Sequence, residues 1–252
     1  MANEVAVIDP KDLSGSLVRC YERIQDSLPP NFNIQKAAQN AVTVINRNPE
    51  YLTQYGPGQL WECLRQSAIL DLDISLGEAY IVPFKGKIKL MTSYRGDKLI
   101  AQRHSVRKIR DIHGYLVHEG DKFEATQKSE DWEWIFKPNP FNKGKMVGAF
   151  AYVIFEDGGN RLEFMDADEL EAARRQSNAS NSPAWNRFAP EMYRKVILHR
   201  TCKHLDTDLS AEQQEIMTQG IDIAIDPKEI RDKDVEGVAA EAFDMDAVVY
   251  ED

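Results

Sequence analysis

The feature that most constrains this chain is a change of hydrophobic period part-way along it. Up to about residue 70, apolar residues recur at helical spacing and each run stops at proline or glycine. The runs are DLSGSLVRCYERIQDSLPP, NIQKAAQNAVTVINRNP and, opening on a Gly-Pro-Gly break, GPGQLWECLRQSAILDL. Near residue 79 the spacing becomes alternation. In AYIVPFKGKIKLM, Ile88 and Leu90 alternate with Lys87 and Lys89 around Lys85-Gly86, which predicts a hairpin with one apolar and one basic face. A short helix over about Tyr94 to His104 follows. KFEAT, WEWIFKP and MVGAFAYVIFEDGGNRLEFMD read as further strands, the last pair joined at Asp157-Gly158-Gly159. Asp166 and Glu169 stand in capping-box positions at the head of DADELEAARRQS. Beyond the polar loop SNASNSPAW, residues 190–205 predict a last helix with Pro190 in its first turn. The fold class is α/β in the α+β sense: an N-terminal helical group, then strands with helices, then an acidic C-terminal tail whose end, DKDVEGVAAEAFDMDAVVYED, reads as disordered.

Charge sharpens this division. The chain has 252 residues, 42% of them hydrophobic, and a formal net charge of -10. Residues 83–110 nevertheless hold nine Lys/Arg against one acid, whereas 206–252 hold three against fifteen. Screening confines a charge to about 8 Å at physiological salt, so a polyanion near the basic segment feels local charge and little of a distant tail. Overall acidity therefore does not argue against nucleic acid. Three cysteines at wide spacing, Cys20, Cys63 and Cys202, suit reduced thiols in a cytoplasm. The opening MANEVAVIDPKDLSGSL lacks a basic and apolar leader, and no window of about 18 apolar residues occurs, so the chain reads as soluble, with no membrane partner.

Strand geometry puts side chains two apart at about 6.6–6.8 Å on one face, so Lys85, Lys87 and Lys89 form a rail at roughly the phosphate separation of an extended single strand. The next helix adds Arg95, Lys98 and Arg103, with Arg107, Lys108 and Arg110 beyond it. Lys195, His199 and Lys203 fall at i, i+4 and i+8 on one stripe of the last helix. Lys143, Lys145, Arg174 and Arg175 are further candidate cations, and Tyr94, Phe141 and Trp185 stand beside basic residues where they can stack on bases. A solvated surface also produces basic runs, and Trp132, Trp134 and Phe136 read as core. No nucleotide loop is present, because FKGKI and NKGKM lack the spaced glycine and the hydroxyl after lysine. Gly-x-Gly-x-x-Gly, His-Glu-x-x-His and Gly-x-Ser-x-Gly are also missing, and Cys202 and His204 have no second metal-ligand pair. Asp157, Glu163 and Asp166 keep one rival open, a divalent-metal-dependent nuclease, although a turn and a helix cap account for the same acids. A scaffold subunit that binds no DNA is the third reading.

LGEAYIVPFKGKIKLMTSYRGDKLIAQRHSVRKI, then EGDKFE, then GAFAYVIFEDGG, then SPAWNRFAPEMYRKVILHRTCKHL follow, in order and at similar spacing, the pattern of the RecT family. The chain thus resembles phage and prophage single-strand annealing proteins over roughly residues 30–205. It departs from the pattern at Ser93, where the family often has glycine, and at Val196, where it often has threonine. The resemblance implies an α/β core with a central twisted, mainly antiparallel sheet and packed helices over residues 31–205. Residues 1–30 would be a helical arm for oligomerisation and 206–252 an acidic region. It implies binding of single-stranded DNA and annealed duplex, assembly into rings or filaments, and pairing of strands without ATP or another cofactor. A 5′→3′ exonuclease and a host single-strand binding protein would be its partners in the bacterial cytoplasm. Carried over by position, Lys85, Lys87, Lys89, Arg95 and Lys98 are DNA contacts, Arg194, Lys195 and Lys203 a second set, and Trp185 either groove or core.

Overall fold

The computed structural model describes residues 8–9, 11–84, 86–129, 131–141, 144–176 and 183–217. Among them the chain forms two compact units, one running to Gly96 and including 210–217, the other covering Asp97–Leu209. The stretch read as disordered, 232–252, lies outside the described residues.

The first unit is built on helices α1 (Leu13–Glu22), α2 (Ile34–Arg47), α3 (Glu50–Thr53) and α4 (Pro57–Ile69). Their starts are written locally. The Asp12 side chain accepts from Gly15 N at 3.0 Å, the Asn33 side chain from Lys36 N at 2.9 Å, and α4 begins at Pro57 after Gly56 at φ 84°. Leu17, Tyr21, Ala38, Val44, Leu60, Trp61 and Leu64 make one buried core, with the Tyr21 and Trp61 rings edge to face at 5.0 Å. Strands β1 (Ala79–Phe84) and β2 (Lys87–Thr92) pair antiparallel and add Ile81 and Ile88 to that core. Two side chains tie the hairpin to the helices: Tyr51 Oη donates to Ile81 O at 3.0 Å, and Gln59 Oε1 accepts from Ile88 N at 3.1 Å. Part of the acidic region also lies in this unit. Residues 211–217 are helical, Ile216 is buried, Gln213 donates to Ile69 O, and Glu212 pairs with Arg65 at 2.6 Å.

The second unit is an antiparallel sheet in the order β3 (Ile109–His118), β6 (Met146–Phe155), β7 (Asn160–Asp166), together with a separate hairpin of β4 (Lys122–Lys128) and β5 (Asp131–Lys137). One face carries Phe150, Leu162 and Phe164, and the β4–β5 hairpin covers it with the partly buried Phe123, Trp132, Trp134 and Phe136, the last three in the packing role predicted for them. Helix α8 (Ala189–Lys203) packs on the other face, with α6 (Ala167–Gln176) and α7 (Pro183–Arg187) beside it. Gly114 is the point of closest approach, because a Cβ there would lie 3.0 Å from Leu198 Cγ. The capping box is reciprocal: Asp166 N donates to Glu169 Oε2 at 3.0 Å and Glu169 N to Asp166 Oδ1 at 2.8 Å. Residues 206–208 run alongside 104–106, and Leu209 is buried. Among the described residues no helix is long and apolar enough to cross a membrane.

Candidate nucleic-acid interface

The basic hairpin follows from its register. Phe84 pairs with Lys87, leaving two residues for the turn, and Gly86 supplies the positive φ of 72° that such a turn requires. Ile88 and Leu90 point into the core, which forces Lys87 and Lys89 onto the opposite face. Lys87 is exposed. Lys89 is half-buried, its Nζ 5.0 Å from the centre of the Phe84 ring.

Helix α5 (Tyr94–His104) begins two residues after β2 and has the predicted bounds. Ser93 explains its start. Ser93 N and Oγ both donate to Glu78 O at 3.0 Å, and Ser93 Oγ accepts from Gly96 N at 3.1 Å, as an N-cap does. The glycine of Tyr-Arg-Gly is fixed by the same carbonyl, since a Cβ on Gly96 would lie 2.1 Å from Glu78 O. Gly96 thus lets the helix seat against the entry to β1, and Arg95 is left exposed with its Nε 3.5 Å from Tyr94 Oη. Lys87, Lys89, Tyr94 and Arg95 all lie within one short stretch of the first unit.

The remaining candidates lie in the second unit, and many are engaged. Arg107 donates from Nε and Nη2 to the Asp157 carboxylate at 3.0 and 2.9 Å and lies 4.1 Å over the Phe155 ring. The guanidinium and Gly159 N hold the Asp157 carboxyl below its usual range. Arg107 therefore locks the β6–β7 turn. Trp185 is 2% exposed, edge to face with Tyr193 at 5.1 Å and capped by the Arg174 guanidinium at 5.4 Å, so its ring is core. Arg174 also reaches Glu171. On α8, Arg200 pairs with Glu163 and Glu169 at 3.1 and 2.9 Å, and His204 pairs with Glu163 at 3.2 Å. The predicted stripe Lys195, His199, Lys203 is only partly outward: Lys195 is half-buried, and His199 lies between Lys203 and Asp97.

Arg103, Lys145, Arg175 and Arg194 are exposed and Lys98 half-buried, while Lys85 and Lys143 lie outside the described residues. Phe141 is 90% exposed. The carboxylates of the nuclease reading serve other contacts: Asp157 holds Arg107, Glu163 holds Arg200 and His204, and Asp166 caps α6. Among the described residues no cluster of three His, Cys, Asp or Glu could hold a metal ion.

Two residues that organise these surfaces were not singled out in the sequence. Ser93 carries only the weak signal of a hydroxyl before a helix. Asp97 carries a stronger one, being the single acid among the nine cations of 83–110.

A sequence model of the RecT family matches residues 35–230, most of the chain. The chain belongs to the RecT family. Members of this family are single-strand annealing proteins of DNA recombination rather than hydrolases. A curated protein, the cobyric acid synthase of Carboxydothermus hydrogenoformans, is 29% identical over 99 residues, covering 35% of this chain and 20% of that protein. The chain spans about a fifth of that relative's length. Within the RecT match fall the whole β1–β2 hairpin, α5 and α8, the elements that carry the candidate contacts.

Proposed function

We propose that this chain binds single-stranded DNA along the β1–β2 hairpin and the start of α5, and anneals complementary strands as an oligomer, without a nucleotide cofactor. The observation that carries the reading is an exposed Lys87 and a half-buried Lys89 on one face of a hairpin that leads directly into the exposed Arg95, its ends fastened by Ser93 and Gly96 to Glu78, in a chain of the RecT family.

The physics is consistent with that activity. Two complementary strands repel through their phosphates, and each must be held extended before its bases can meet the other's. Cations spaced along one backbone offset the repulsion and leave the bases free. Pairing then releases about 1.4 kcal/mol per stacked step, enough to drive the reaction without hydrolysis. Few nucleotides fit one protomer, so contacts that are weak singly are multiplied by assembly along the strand. An exonuclease that exposes single strands would supply the substrate.

The test is annealing of two complementary oligonucleotides with this protein as the only addition. Pairing faster than the spontaneous rate is expected, with binding that weakens with salt at a log-log slope near about -4 if roughly six phosphates are neutralised. No acceleration, or shortened strands in the presence of Mg²⁺, would overturn the reading.

A further inference from the structure

Lys203 differs from its basic neighbours at the end of α8. Arg200 and His204 each meet a carboxylate directly, but among the described residues no carboxylate pairs with Lys203 Nζ. Its ammonium meets His199 Nε2, and His199 Nδ1 meets Asp97, whose side chain is 0% exposed. When Nδ1–H donates to the buried carboxylate, the Nε2 lone pair is left to accept from the ammonium. The His199 ring therefore stands between the lysine and the Asp97 carboxylate, leaving a half-buried ammonium only partly compensated.

We propose that Lys203, at the end of the Asp97–His199 chain, is a phosphate contact that must carry a solvent-derived proton to hold a strand, so that strand binding is proton-linked. This inference rests on the single-strand reading above. Among the described residues, the charged and titratable groups that act on the lysine are Asp97 from α5 and His199 and Cys202 from α8 itself, with Lys98 acting on Cys202. The acids that β7 and α6 bring to α8, Glu163 and Glu169, are engaged by Arg200 and His204.

Burial pushes the Lys203 ammonium down to about 8, with the Asp97 charge acting in the opposite direction. An ordinary lysine stays protonated to about pH 10.4. A phosphate favours the charged form, so binding takes up a proton between about pH 8 and 10.4, and affinity falls as pH rises through that window. Stability moves the other way. A lowered lysine value means that the folded chain gains stability from this group as pH rises from about 8 towards 10.4, and loses it as pH falls back. Weaker binding in this window therefore does not reflect unfolding caused by Lys203.

Anisotropy of a labelled oligonucleotide, titrated with the full chain at fixed salt, reads the linkage. Wild type should lose about three- to tenfold in affinity between about pH 7 and 9.5. Lys203→Arg, which stays charged, should show a flat profile over the same range. Lys203→Met should bind more weakly at about pH 7 and also be flat. Asp97→Asn, lacking the charge that retains the proton, should shift the fall to lower pH. A flat wild-type profile, or parallel falls in wild type and Lys203→Arg, would overturn the linkage while leaving annealing intact. No binding by wild type at about pH 7 would overturn both readings.

Discussion

The β1–β2 hairpin and α8 are comparably rich in basic side chains, and the fold treats them in opposite ways. Around the hairpin, inward Ile88 and Leu90 put Lys87 and Lys89 on the other face, where they share the surface with buried Val82 and Phe84 and only Lys87 is exposed, and the one acid of the basic segment, Asp97, faces α8. Along α8, Arg200 meets Glu163 and Glu169, and Lys203 reaches Asp97 through His199, while Arg194 is exposed. Arg107, counted with the basic segment, is held by Asp157. Positive charge in a sequence is thus not the same as positive charge available to a ligand. The difference lies in which carboxylates the tertiary structure delivers to each cation.

The comparison can be broken in four places. Trp185→Ala removes a buried ring and should cost about 3–5 kcal/mol in urea unfolding. A base-stacking role would instead weaken strand binding at unchanged stability. Next in size, Gly96→Ala forces a methyl against the Glu78 carbonyl and should destabilise by about 3 kcal/mol, with strand binding falling in parallel. Lys87→Glu or Arg95→Glu should leave the thermal midpoint unchanged, weaken binding about tenfold at low salt, and reduce the salt slope by about 0.7 for each phosphate that is no longer neutralised. Full annealing by both would show that the outward cations are ordinary surface.

Arg107→Ala should have the smallest effect, a slight fall in thermal midpoint with strand affinity preserved, because this pair lies at the surface. Its pH dependence follows from the lowered Asp157 value. The difference from wild type should be complete above the ordinary carboxylate value of about 3.9 and close as pH falls below it.

Much of the fold was legible because its signals are local. Lys85-Gly86 between alternating runs marked the hairpin, Asp166 and Glu169 marked the start of α6, and the bounds of α5 followed from its neighbours. Strand β3 was not marked. Its pairing with β6 shifts register between Ile109 and Asp111 and again between Val117 and His118, and Gly114 interrupts the apolar alternation so that α8 can approach. The outward cations of the hairpin were legible for the same local reason. The engaged cations were not, since His199 and Asp97 are 102 positions apart and Arg107 and Asp157 are 50 apart. Spacing along one helix can place His199 and Lys203 on a stripe, but it cannot say that a buried acid waits beneath them.

The Glu78 carbonyl receives both hydrogen bonds of Ser93 and sits against Gly96, so the chain enters β1 and leaves β2 at a single point. Between those ends Ile81 and Ile88 are built into the helical core, so variation is confined to the opposite face: Lys87 and Lys89 can be recharged while the helices beneath keep their arrangement, which makes that face a natural handle for retuning how the molecule grips a polymer.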